Sequence, residues 1–414
     1  MKIIGDFHIH GRYAQACSKK TTLEDLERNA CIKGLHILGT GDAQHPLWHK
    51  EITSKLTEDE NGILWSKTKF PFIWQTEISL MYSQGGRGRR IHHVVLFPNG
   101  EVVKQFIDAL LKKGRIDYDG RPIFGMNSIE FLDMLRSIST DIEVIPGHAW
   151  TSFFGILGSK SGFDSVEECF QERAKYIHAI ESGISSDPAM NWRISSLDKY
   201  NIVSFSDPHS SHPWRLGREA TIFDLKELTY KNILQAIRTG IGIKGTIETP
   251  PEYGKYHFDG HRACGVMMAP AESRKLNKQC PKCKQEMTIG VEYRVEQLAD
   301  RPVGYVKPNA PFFHSLIPLH ELLGSVYNIK LMTSKKLTAL YQQLIGKFGT
   351  EYNVLLEAPQ PALAQVVDPA VVQVILKNRA KDLKLQPGYD GVYGTILLDQ
   401  ADKALKKQKA LTDF

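Results

Sequence analysis

Seven short apolar runs in the first 245 residues each carry a histidine or an acid at one end, and this recurrence constrains the fold more than any other feature. KIIGDFHIHG (2–11) ends in His8 and His10. GLHILGTGD (34–42) ends in Asp42, with His45 close by. FPFIWQTEISL (70–80) contains Glu77, and RIHHVVLFP (90–98) opens with His92 and His93. DIEVIPGHAW (141–150) leads to His148, YIHAIESG (176–183) to Glu181, and YNIVSFSDPH (200–209) to Asp207 and His209. Amphipathic stretches separate several of these runs. TLEDLERNACIKG (22–34) places Leu23, Leu26, Ala30 and Cys31 at helical spacing between a Thr cap and Gly34. DSVEECFQERAKYI (164–177) and YKNILQAIRTG (230–240) repeat the pattern. Strand–helix alternation of this length predicts an α/β fold, either a barrel or a doubly wound sheet.

In such folds the carboxyl ends of the strands form the ligand-binding face. Alternate residues of a strand share a side, so His8 and His10 face one point. Imidazole mixed with carboxylate suits Zn, Mn or Fe rather than an all-oxygen Mg or Ca cage. A shared carboxylate such as Glu77 would bridge two ions, and two ions about 3.5–4 Å apart assist both the attacking and the leaving oxygen of a phosphoryl transfer.

The texture changes near residue 250, where ETPPEYGKYHFDGH is rich in Pro, Gly and aromatics. His261-x-x-Cys264 and Cys280-P-x-Cys283 follow. These two knuckles, with His257 as the alternative to His261, have the spacing of a closed structural zinc site. From Ile317 to about Phe348 the pattern is helical. The expected division is therefore 1–248, 249–302 and 303–414: a metal-binding α/β domain, a zinc-binding segment, and a helical C-terminal region. Hydrophobic residues make up 42% and charged residues 24%, an ordinary globular balance that argues against wholesale disorder. The net charge of +6 permits a polyanionic partner such as nucleic acid. No apolar run reaches the ~18 residues of a membrane span. The cysteine distribution suggests no secreted disulfide scaffold, so a cytoplasmic location without membrane attachment is expected.

H-x-H near the N-terminus, the Asp of TGD, a Glu after a later strand, HVVL, PGH and SDPHS…LGREAT together resemble the polymerase-and-histidinol-phosphatase (PHP) domain. That resemblance implies a distorted seven-stranded (β/α) barrel with two or three divalent ions at the strand ends, whether Zn, Mn, Fe or Mg. Carried over by position, His8, His10, Glu77 and Asp207 hold one ion. Glu77, His93 and His148 hold a second, and His209 with Asp42 a third. His93 is preferred to His92 because the family's ligand stands immediately before the apolar strand. Asp207, Glu77 and His209 are the catalytic candidates. The chain departs from the family in two places. Cys17 stands where a further histidine is common, and the usual Thr-Asp-His triplet reads Gly-Asp-Ala, with His45 displaced.

The order of parts narrows the resemblance. A PHP domain, then GKYHFDGHRAC…CPKC, then SLIPLHELLGSVY and LQPGYDGVYG, is similar over essentially the full length to the endonuclease Q family. This implies a metal-dependent DNA repair endonuclease. It would cut 5′ of deaminated bases (uracil, hypoxanthine, xanthine) and abasic sites, leaving 3′-hydroxyl and 5′-phosphate ends. A PHP phosphatase acting on small esters and a helicase-associated DNA-binding module are the competing readings. Reaching one base within a duplex requires turning it out of the stack. Trp150, Phe153 and Phe154 are the aromatic candidates for that pocket, and Arg215 and Arg218 the cationic ones. At the C-terminus, Gln408, Leu411 and Phe414 fit Q-x-x-L-x-x-F, close to the peptide that hooks into a DNA sliding clamp.

Overall fold

A computed structural model describes residues 1–398. The sliding-clamp residues Gln408, Leu411 and Phe414 lie outside the described residues. Among the described residues no helix is long and apolar enough to cross a membrane.

Seven strands surround one interior: β1 (Lys2–Asp6), β2 (Ile37–Gly39), β3 (Pro71–Gln84), β4 (Arg87–Phe97), β5 (Glu143–Pro146), β6 (Ala179–Glu181) and β7 (Asn201–Val203). β1, β2 and β3 pair in parallel. β4 then runs antiparallel to both β3 and β5, and β6 pairs in parallel with β7. The ring closes where the chain leaves β7. There Ser206 N–H donates to Asp6 Oδ1 at 3.0 Å, and Asp207 N–H donates to the His8 carbonyl at 2.9 Å.

Residue alternation divides each strand between two cores. Ile3, Ile37, Ile73, Val94, Leu96, Ile145, Ala179 and Val203 pack together inside the ring. Ile4, Leu38, Phe72, Trp74, Ile91, Val95, Phe97, Val144 and Ile180 face outward, where the helices cover them. The first helix, Leu23–Lys33, behaves as its sequence predicts. The Thr22 hydroxyl accepts from Asp25 N–H, and Gly34 ends the helix at φ 101°. The second predicted helix is shorter than its periodicity implies. It spans Val166–Phe170 and breaks at Gln171, whose φ of 50° cannot continue an α-helix.

Strands Ala220–Asp224 and Ile243–Glu248 extend the sheet on the other side of β1, and Phe312–Ser315 adds a parallel edge. The chain beyond the zinc-like segment thus returns a strand to the barrel's sheet before it turns helical. Helices Leu319–Tyr327, Lys335–Phe348 and Pro369–Arg379 follow. Between the last two, helix Glu351–Leu356 is tied to the first helix by a buried ion pair, Lys33 Nζ to Glu351 Oε1 at 2.7 Å.

Candidate active site

The ring strands deliver polar residues to one point, from or just beyond the carboxyl ends of β1, β2, β5, β6 and β7 and from the middle of the long strands β3 and β4, and Glu77 of β3 stands at its centre. Glu77 Oε1 lies 2.8 Å from His92 Nδ1, 3.2 Å from His148 Nε2 and 3.4 Å from His8 Nε2. Oε2 lies 3.1 Å from both His10 Nε2 and Arg121 Nη1. Asp207 Oδ1 approaches His10 Nε2 to 3.1 Å and His8 Nε2 to 3.7 Å. Two donor groups result, His8–His10–Glu77–Asp207 and Glu77–His92–His148, and in each the ligand atoms lie within 4.8 Å of one another.

The chemistry of these groups fits divalent cations. His8 Nε2, His10 Nε2 and Asp207 Oδ1 are buried, yet none makes a hydrogen bond. Unpaired polar atoms in a protein interior are costly, and a cation among them would satisfy all three. The far side of each H-x-H ring is already fixed. His8 Nδ1 lies 2.9 Å from Glu181 Oε1, and His10 Nδ1 lies 2.9 Å from Asp42 Oδ1. A carboxylate on the distal nitrogen sets the tautomer and aims the other nitrogen inward.

Electrostatics are strong here. Burial disfavours a charged His8, but Glu181, Glu77 and Asp207 hold its pKa well above the ordinary imidazole range. Burial acts against charge on Glu77 too, and the cations Arg121 and His8 hold its carboxyl well below the usual range. His92 goes the other way, pushed down to about 3 chiefly by burial, so it is a neutral imidazole with a lone pair to offer. The backbone is also strained: Asp42, His148 and Asp207 adopt φ of 42°, 30° and 43°. Such conformations cost about 1–3 kcal/mol each and persist only where the surroundings over-determine them. At His148 the N–H donates to Glu181 Oε2 at 2.5 Å.

Three expectations from sequence are corrected. The ligand-side histidine of β4 is His92, not His93. His92 shares strand parity with the interior residues Val94 and Leu96. His93 shares it with Ile91, Val95 and Phe97, and its ring packs outward against Phe131 and Phe170 with Nε2 3.0 Å from Ser128 Oγ. Asp42 does not pair with His209 around a third ion. Its Oδ1 faces His10, and its Oδ2 accepts Gly11 N–H at 2.7 Å, so both oxygens are engaged. His209 stands instead beside the first group, its ring 5.0 Å from that of His10. Trp150 is a core residue, fully buried, with Nε1–H donating to Asn191 Oδ1 at 2.8 Å.

A cavity of about 520 Å³ opens over the cluster. His92, His148, Asp207 and His209 lie at its base, and Phe153, Phe154, Arg215 and Arg218 line it as well. Phe154 stacks on His92 with ring centroids 4.3 Å apart. Arg218 is buried, its Nε–H donating to the Ser206 carbonyl at 3.1 Å, and its Nη1 has no partner. Arg215 Nη1 lies 3.4 Å from Glu321 Oε1. Among the lining residues with no role assigned from the sequence, Arg121, Lys255, Tyr256 and Tyr393 bring charge or an aromatic ring. They come from loops, Tyr393 from the one that joins the paired strands Leu385–Gln386 and Thr395–Ile396, where no periodicity marks them. Glu181 was visible as a strand-end acid, but only the fold shows that it holds His8 and His148. Counting strand parity back from Val94 would have found His92.

Away from this site, His261, Cys264, Cys280 and Cys283 form a third donor group, with His261 Nδ1 3.4 Å from Cys283 Sγ. His261 rather than His257 belongs to it. The strands Asp259–His261 and Val266–Met268 form the hairpin that carries His261 and Cys264. The Ile289 carbonyl beyond the knuckles accepts from Ser152 and Ser159, both at 2.9 Å, so this segment braces the loop bearing Phe153 and Phe154.

Residues 318–382 match the family described as the MJ0043 C-terminal domain. The uncharacterized protein MJ0043 of Methanocaldococcus jannaschii is 31% identical over 252 residues; the match covers 60% of this chain and 30% of that protein, so the chain spans less than a third of that relative's length. The crystal structure of the lesion-specific endonuclease PfuEndoQ from Pyrococcus furiosus is similar over 97% of both chains, with a TM-score of 0.86 and 30% identity. An endonuclease Q complex with a 27-mer duplex carrying an abasic lesion at the active site is similar over 97% of this chain and 98% of that one. Its TM-score is 0.87, again at 30% identity.

Proposed function

This chain belongs to the endonuclease Q family, and from that premise we propose that it is a metal-dependent DNA repair endonuclease. It hydrolyses the phosphodiester 5′ of a deaminated base or an abasic site, leaving a 3′-hydroxyl and a 5′-phosphate. The observation that carries this reading is the cavity itself. One concave surface has a His/Asp/Glu cluster at its base and cations and aromatic rings in its walls. A small phosphate ester would need the first but not the aromatic walls.

His8, His10, Glu77 and Asp207 would hold one divalent ion, and Glu77, His92 and His148 a second. Such ions supply a Lewis acid and lower the pKa of water. Glu181 and Asp42 keep His8 and His10 aimed inward. Phe153 and Phe154 offer apolar faces to a nucleotide turned out of the stack, at a cost of a few kcal/mol that a mispaired base lessens. Arg215 and Arg218 would contact backbone phosphates, Arg218 with its free Nη1. At the third donor group, three sulfurs and one imidazole suit a structural zinc ion.

The test is a labelled duplex with one uracil, hypoxanthine or abasic site, incubated with Mn or Mg beside an unmodified duplex. A single nick 5′ of the lesion, lost in Asp207→Ala, is expected. Phosphate release from small esters without a lesion-dependent nick would overturn the reading.

A further inference from the structure

We infer that Arg121 donates to a non-bridging oxygen of the scissile phosphate as charge gathers there in the transition state. The inference rests on the endonuclease reading above and assigns it a residue that no strand-end pattern indicates. Arg121 lies in the loop between helix Gly100–Leu111 and the short strand Ile123–Phe124. Much of that loop is exposed, yet Arg121 reaches the cavity with its side chain only 23% exposed. Nη1 donates to Glu77 Oε2 at 3.1 Å. A guanidinium has five N–H donors in a planar fork, so donors remain for a ligand in the cavity that Arg121 shares with Asp207 and His209.

The loop is built onto the segments that carry the site. Gly120 N–H donates to the Tyr13 carbonyl at 3.1 Å, and Gln44 Nε2 donates to the Gly120 carbonyl at 2.6 Å. Gln15 N–H and Arg121 N–H both donate to Asp119 Oδ1 at 3.0 Å. Gly120 packs so closely that a Cβ there would overlap the Asp42 carboxylate. These contacts fix the loop against the His10–Asp42 pair and so fix where the guanidinium sits. A cation held rigidly beside a reacting phosphate costs no reorganisation at the moment of reaction.

In the reaction a water oxygen forms a bond to phosphorus and the P–O3′ bond breaks. O3′ keeps the electron pair and takes up a proton, while the water loses one, so protons balance. Arg121 takes no part in proton transfer. It offsets the negative charge that builds on the phosphoryl oxygens.

Arg121→Ala should lower kcat by about 100- to 1,000-fold, the usual cost of losing one such donor. KM and the dissociation constant for lesion duplex, read by anisotropy without turnover, should stay within about threefold, as uniform binding is unaffected. Bound metal per chain should match wild type, and added guanidinium should restore at least tenfold in Arg121→Ala but nothing in Asp207→Ala. If wild type does not nick lesion duplex, the endonuclease reading falls and takes the inference with it. If wild type nicks, three results overturn the inference alone: loss of metal, which makes Arg121 a buttress for Glu77; a raised KM with kcat intact, which makes it a docking cation; or no change. Should Arg121→Ala fail to melt cooperatively, Arg121→Lys serves. Its kcat should fall with KM and metal unchanged, and no fall in kcat would overturn the inference.

Discussion

Glu181 Oε1 lies 2.9 Å from His8 Nδ1, a pairing across 173 residues that joins the sixth ring strand to the first. The same carboxylate accepts the backbone N–H of His148. One buried acid thus orients the His8 ring in one donor group and holds the His148 backbone in the other. Outer partners of this kind typically govern metal affinity by 10- to 100-fold. Glu181→Gln, which keeps the shape but loses the charge, should weaken metal binding by about that factor. Activity should return at high metal concentration. Metal titrations of both proteins check this.

Strand parity separates the adjacent histidines of β4. His92→Ala should lose bound metal and nicking while remaining folded. His93→Ala should keep its metal content but leave a gap between Phe131 and Phe170, costing about 2–4 kcal/mol by analogy with other large buried side chains. Metal analysis and denaturant unfolding would show the two phenotypes exchanged if the parity were the other way.

Level with the carboxyl end of β1, Glu219 and Glu248 are fully buried, and the Ser204 hydroxyl donates to Glu248 Oε2 at 2.8 Å and lies 3.5 Å from Glu219 Oε2. Burial pushes Glu248 up to about 8 against its hydrogen bonds from serine and threonine. Burial and the neighbouring Glu248 hold Glu219 well above the carboxylate range. Because the folded pKa exceeds the unfolded value of about 4.3, the neutral acids stabilise the fold fully below that value, and the contribution is lost as pH rises through about 8. Melting temperature should therefore fall between pH 6 and 9. Glu248→Gln should flatten that slope, as thermal melts across the range would reveal.

The Lys33–Glu351 pair is almost wholly buried, and Glu351 also accepts from Leu319 N–H at 3.0 Å and the Tyr341 hydroxyl at 2.8 Å. Lys33→Met should destabilise by about 3–5 kcal/mol, because it strands a buried carboxylate. Lys33→Met with Glu351→Leu should recover much of that loss, since apolar pairs of similar volume often replace buried ion pairs without penalty. Unfolding curves of the single and double variants decide this.

The sequence by itself determined the alternation of strands and helices, which follows from spacing within a few residues: two-residue alternation along β1, β3 and β4, and caps such as Thr22 and Gly34. The closed ring and the ligand sets came from the resemblance of its motifs to a known family, since spacing alone fits a barrel and an open sheet equally. Parity even contained the answer for His92, because Val94 and Leu96 need the interior. Only the tertiary structure decided how those residues divide their work. Whether Asp42 binds an ion or orients His10 depends on a partner 32 residues away, and Glu181 acquires its role only when β6 closes beside the end of β1. Arg121, Lys255 and Tyr393 meet at one cavity because the chain folds back on itself twice. Local periodicity reports which side of an element a residue takes. It carries no information on which distant element will lie opposite, since the packing of the whole ring fixes that.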